Sequence, residues 1–233
     1  MYIFSIRTIF FCLLSFFVTS SQLIAQEDED EVAPTVASGN VASGFRAGVF
    51  GGVNLSQIEG DGVSGYKKIG LNAGITTNYR LNKNWSINLE MAYSQKGSFE
   101  KTYNQFECQM NYIEIPVYIS FHDWVVATNN NRYYSRVKAN AGLAYGRLLN
   151  GKVINNLTTL PDEDFETTFK KNDFSIILGA AFYFSPEFSF DFRWIQSLIG
   201  VNTISSIGVN NIYNNAWIHN SISFRLMYVL SSK

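Results

Sequence analysis

Residues 85–96 read WSINLEMAYSQK, and their alternation decides the fold. The odd positions Trp85, Ile87, Leu89, Met91 and Tyr93 are apolar. The even positions Ser86, Asn88, Glu90, Ala92, Ser94 and Lys96 are small or polar. Successive side chains of a β-strand point to opposite faces, so the stretch is a ribbon with one oily side and one polar side.

Outward from this ribbon the two-beat pattern returns on both flanks. Upstream it covers Phe45–Leu55 and Lys68–Leu81. Downstream it covers Tyr112–Phe121, Tyr133–Leu148, Asn172–Phe184, Phe188–Trp194 and Ala216–Leu230. Short turns at 82–84 and 185–187 alternate with longer connections at 56–67, 97–105, 149–171 and 199–215. The connection at 122–132 is longer than that alternation requires. Pro116 falls inside a strand, where a missing N–H demands a bulge or a gap in the ladder. No run with a helical period follows the first 25 residues. An even number of alternating strands, tight turns at one end and long loops at the other, predicts an all-β, eight-stranded antiparallel up-and-down transmembrane β-barrel over 45–233.

Composition agrees with strands: Phe numbers 19 and Tyr 13 against 4 Pro in 233 residues. The net charge of −1 gives no electrostatic case for nucleic acid. Mean hydropathy of −0.02 excludes a bundle of membrane helices but not a barrel, whose strands show lipid only every second residue. Residues 1–25 hold Arg7, an apolar run from Ile9 to Val18, and small polar residues up to Ala25. They read as a signal peptide cut near Ala25–Gln26. Residues 26–44 are acidic, then small and polar, and read as a flexible tail. Cys108 is then the lone mature thiol, so no internal disulfide forms.

Periodicity does not say which face is wet. A soluble, lipocalin-like periplasmic barrel would put the oily faces inside; a membrane barrel puts them outside. The oily faces are bulky, as in Phe188, Phe190, Phe192 and Trp194. The polar faces are rich in Gly, Ala, Ser and Asn, which suits a narrow interior. Charged residues make up only 16% of the chain, few for a solvated face. These features favour the membrane barrel. Its interior would then hold Arg80, Glu90, Glu114, Arg136, Lys138, Asp191, Arg193 and Arg225, paired into a plug, because an unpaired buried charge is costly.

Gly52-Val-Asn-Leu-Ser56, Gly60, Asp61, Gly65, Tyr66 and Lys68, then Glu90, Tyr93, Ser94, Lys96 and Gly97, then Tyr112-Ile-Glu-Ile-Pro116 form a recognisable set. With them the chain resembles the PorT-type outer-membrane β-barrel proteins of the Bacteroidetes, also labelled porin-family proteins, from Phe45 to Leu230. The resemblance implies one barrel in the outer membrane. The ending Leu230-Ser-Ser-Lys and the acidic run at 27–31 depart from that pattern.

Little in the sequence points to catalysis. His122 adjoins Asp123, and His219 shares a face with Ser221 and Ser223, but the two histidines fall near opposite rims. Asp162, Glu163 and Asp164 lack the spacing of a calcium loop. No cofactor or metal is expected, and the chain reads as no enzyme. Two functional classes remain for the membrane barrel. One is a structural or interaction role, with outer-membrane lipid around the wall and other envelope proteins at the loops. The other is passage of small solutes.

Overall fold

The computed structural model describes residues 45–101, 106–127, 133–155, 158–159, 169–202 and 216–230. The leader, the acidic tail and the Asp162–Asp164 run lie outside them. Nine strands form among the described residues: β1 (Phe45–Glu59), β2 (Lys68–Arg80), β3 (Trp85–Glu100), β4 (Phe106–Ala127), β5 (Tyr133–Asn155), β6 (Thr158–Thr159), β7 (Asn172–Tyr183), β8 (Phe188–Ser197) and β9 (Ile218–Val229). Every neighbouring pair is antiparallel. β1 pairs with both β2 and β9, and β4 pairs with β5, so eight strands close into one ring. The two-residue β6 is a spur on β5.

The ribbon at 85–96 lies as its alternation predicts. Ile87, Leu89 and Met91 are exposed on the outside, while Ser86, Asn88, Glu90 and Ser94 are buried within. Phe188, Phe190 and Phe192 face out in the same way, and Asp191 and Arg193 face in. The wall therefore presents an apolar band outward around a polar interior. Aromatic pairs edge this band at the end of the short turns: Phe45 with Tyr79, Trp85 with Phe121, and Phe188 with Tyr228. Pro116 has its gap: the β3–β4 ladder runs to Leu89↔Val117 and resumes at Ala92↔Glu114.

Four boundaries differ from the sequence reading. Gly97–Glu100, Ser56–Glu59, His122–Ala127 and Leu149–Asn155 were expected in connections and are strand. At the loop end the cause is a change of solvent. On β4 the outward residues Ile113, Ile115, Val117, Ile119 and Phe121 give way to Asn111, Gln109 and Glu107. The inward residues change the other way, from Glu114, Tyr118 and Ser120 to Tyr112, Met110, Cys108 and Phe106. Inward parity is unbroken from Phe106 to His122; only the polarity swaps. A strand that leaves an apolar surround for water must swap it, and the swapped part reads as a polar loop. Gly97 permits the continuation of β3. Its φ is +153°, and a Cβ there would lie 1.9 Å from the Cys108 carbonyl oxygen. At the turn end, Trp124 takes a positive φ of 49° near the end of β4, its amide donating to Asp123 Oδ1 at 2.7 Å.

Candidate functional site

The interior is filled in layers. The central layer is a quartet of Glu90 on β3, Asp191 and Arg193 on β8, and Arg225 on β9, all at most 2% exposed. Arg193 grips Glu90 with two donors, at 2.8 and 3.0 Å, and its Nε donates to Asp191 Oδ1 at 2.8 Å. Arg225 donates to Glu90 Oε2 at 2.9 Å and to Asp191 Oδ1 at 2.9 and 3.1 Å. Tyr118 donates to Glu90 at 2.6 Å, and Asn140 to Asp191 Oδ2 at 3.2 Å. The guanidinium of Arg193 lies 4.3 Å from the Tyr118 ring centroid, and that of Arg225 lies 4.2 Å from Phe50. Two acids and two bases leave no net charge. Such a buried cluster is tolerable only when its hydrogen bonds are filled, as these are.

A second layer lies towards the loop end. Lys96 is paired with Glu114, both buried. Across Gly146, Asp173 accepts hydrogen bonds on Oδ2 from Ser197 at 2.9 Å and Ser175 at 3.1 Å. Asn54 binds Ser94 at 2.9 Å and accepts from Asn72 at 2.9 Å, and Ser223 also donates to it. Above this the filling becomes apolar. Ile58, Phe106, Cys108, Met110, Phe169 and Trp217 form one buried cluster. Trp217, fully buried, packs against Phe169 at 5.5 Å and Phe106 at 6.3 Å. Backbone bonds from Lys170 to Val201 and from Val201 to Trp217 tie the incoming segments into this cap. Burial pushes the Cys108 thiol above its ordinary range, which makes it packing rather than a nucleophile. Outside the cap the wall is polar: Lys68 binds Glu107 at 2.6 Å, and Asn111 binds Asn150 at 2.6 Å.

Of the eight charges expected inside, Glu90, Asp191, Arg193 and Arg225 meet in the quartet. Glu114 pairs one layer away, with Lys96. Arg80, Arg136 and Lys138 join neither group. They lie at the turn end, where water is within reach and no carboxylate is needed. Arg80 caps the carbonyls of Asn82 and Lys83. Arg136 stacks on Trp124 at 5.4 Å. Lys138 donates to the Tyr183 hydroxyl at 2.8 Å. The sequence reading omitted Lys96 and Asp173 from the interior charges. Lys96 was detectable, as the last even position of the 85–96 ribbon. Asp173 was detectable too, since it alternates with the apolar Phe174, Ile176 and Leu178 of its strand.

The two histidines are far apart in the fold. His219 lies 3.2 Å from the Tyr112 hydroxyl near the cap, and His122 lies 2.7 Å from Ser86 Oγ near the turns. Neither has an acid on its Nδ1, so the Ser86–His122 pair lacks the third member of a hydrolytic triad. Among the described residues no three His, Cys, Asp or Glu side chains gather as metal ligands.

The family model described as "Outer membrane protein beta-barrel domain" matches residues 24–202. No curated protein matches the chain. Several solved structures are similar. Ail, the attachment invasion locus protein of Yersinia pestis, in complex with the heparin analogue sucrose octasulfate, is 12% identical. The match covers 80% of this chain and 99% of that one, with a TM-score of 0.43. Neisserial surface protein A is 12% identical over 80% of this chain and 97% of that one, with a TM-score of 0.41. OprG from Pseudomonas aeruginosa is 12% identical over 81% and 95%, with a TM-score of 0.35.

Proposed function

This chain belongs to the outer membrane protein beta-barrel domain family, and from that premise we propose a non-enzymatic, non-conducting barrel that works by interaction through its outer loops. The observation that carries this reading is the double closure of the lumen, by the charge quartet and then by the apolar cap. A solute pathway would need water along the axis, and here fixed side chains fill it. What remains available is the wall at the loop end. There β3, β4 and β5 rise past the apolar band and turn a polar face outward. Envelope proteins are the partners this face suits, with outer-membrane lipid around the band. The leader, cut near Ala25–Gln26, serves delivery, and the turn and strand motifs resemble those of the PorT-type barrels.

Two measurements test the reading together. In planar bilayers the purified protein gives no steady, wide conductance; porin-like steps would overturn it. Deleting residues 155–166 leaves membrane insertion intact and abolishes recovery of a cross-linked envelope partner. Altered solute uptake with unchanged cross-linking would favour transport instead.

A further inference from the structure

Past the quartet, at the end of the short turns, the inward positions hold charge of one sign. Arg46 on β1 and Arg80 on β2 follow the inward parity of Gly48, Phe50, Asn72 and Thr76. Lys138 on β5 pairs directly with His122 on β4. The charges whose fields reach the His122 ring are Lys138, Arg80 and Arg46, and all three are positive. The acids at this end are engaged elsewhere. Asp191 is held by Arg193, Arg225 and Asn140. Asp123 accepts the Trp124 amide at an exposed position, and Glu187 is bonded to Ser185 in the turn. Among the described residues no carboxylate meets the three cations.

A second observation at the same place concerns buried polar atoms. His122 is 1% exposed, and its Nδ1 has no partner. When the Ser86 hydroxyl donates to Nε2, Nδ1 carries the proton and is a free donor. Ser189, also 1% exposed, has an unpartnered hydroxyl, and it pairs with Tyr183, the residue that holds Lys138. Buried polar groups in a finished site are rarely left unmade, and the missing partner of donors beside three cations is an anion.

We propose that this mouth of the barrel is an oxyanion site, built by Arg46, Arg80, Lys138 and His122, that holds a phosphate group. Short turns mark the periplasmic end of barrels of this kind, so the ligand comes from the periplasm or from the inner leaflet. Arg80 is fixed by the turn carbonyls, which pre-orients its remaining donors. Lys138 supplies a charge steadied by the Tyr183 hydroxyl, and Arg46 lies at the exposed edge.

The test uses the full mature chain folded in a neutral detergent, with inorganic phosphate as the probe. Phosphate broadens saturably in phosphorus NMR and raises the unfolding temperature, whereas chloride at matched ionic strength does neither. Arg46→Gln and Lys138→Gln each weaken binding by about tenfold or more, the scale of one charge-assisted hydrogen bond. Lys152→Gln, at the other end of β5, leaves it unchanged. Equal effects of phosphate and chloride, or wild-type affinity in Lys138→Gln, would overturn the site. Because a variant can fail to fold, Lys138 acylation is also followed in the wild type, where phosphate slows it and no slowing counts against the proposal. Protection by phosphatidylglycerol vesicles at lower phosphate content than free phosphate requires assigns the site to a lipid headgroup. Protection by free phosphate with no added effect of the vesicles assigns it to a solute.

Discussion

Glu90 ties three strands to its own, since it accepts from Arg193, Arg225 and Tyr118 at once. Glu90→Ala strands two guanidinium groups around a single remaining acid. The expected loss is about 3–5 kcal/mol, the cost of breaking a buried pair from one side, read as a lower denaturant midpoint in detergent or vesicles. Glu107 offers a gentler contrast. Its hydrogen bond from Lys68 holds its carboxyl below the ordinary value of 4.5, with part of the effect offset by burial. The folded value is thus lower than the unfolded one. The pair's contribution is present above pH 4.5 and is lost as pH falls through the folded value. The site is partly exposed, so the effect is small. Acid titration of stability should show the wild-type advantage over Glu107→Gln fading in that window; a constant gap would remove the assignment.

At the scale of one element, β4 records where the surrounding medium changes. Ile113 is the last apolar outward residue, and Asn111 is the first polar one. Arginine at lipid-facing Val117 should cost about 2–4 kcal/mol near mid-membrane, while Asn111→Arg should cost little. Comparing the folded, heat-modifiable fraction of each variant on gels checks this, and equal losses would misplace the boundary. The same strand explains what could be read beforehand. Parity put Leu89 and Phe190 on one face and Glu90 and Arg193 on the other, and the bulk of the oily faces with the scarcity of charge turned the first outward. Parity assigned no face at 106–111, because alternation there carries the opposite polarity. It also failed for Arg80 and Lys138. Parity gives the face a side chain takes but not its height, and height decides whether a charge meets a partner or water. Nothing local tells Lys96 that Glu114 is its neighbour; that follows from the β3–β4 stagger set by the closed ring.

For the whole molecule, two closures stand in series. Trp217→Ala should cost about 3–5 kcal/mol, as expected for a buried aromatic, yet leave the bilayer silent because the quartet still blocks the axis. Single-channel recording of Trp217→Ala and of a double variant with Glu90→Ala separates the cases, and conduction appears only in the double. Steady current through Trp217→Ala alone would show that the quartet is no barrier. The cap has a consequence for assembly. Its greasy centre is wrapped by Glu107, Lys68, Gln109 and Asn111, a coat that hydrocarbon would reject. Those segments must therefore be threaded through the bilayer while still apart, and can knit together only after emerging on the far side. Maturation would then end with an outward-facing intermediate, cleavable by an externally added protease, whose disappearance times the sealing of the crown.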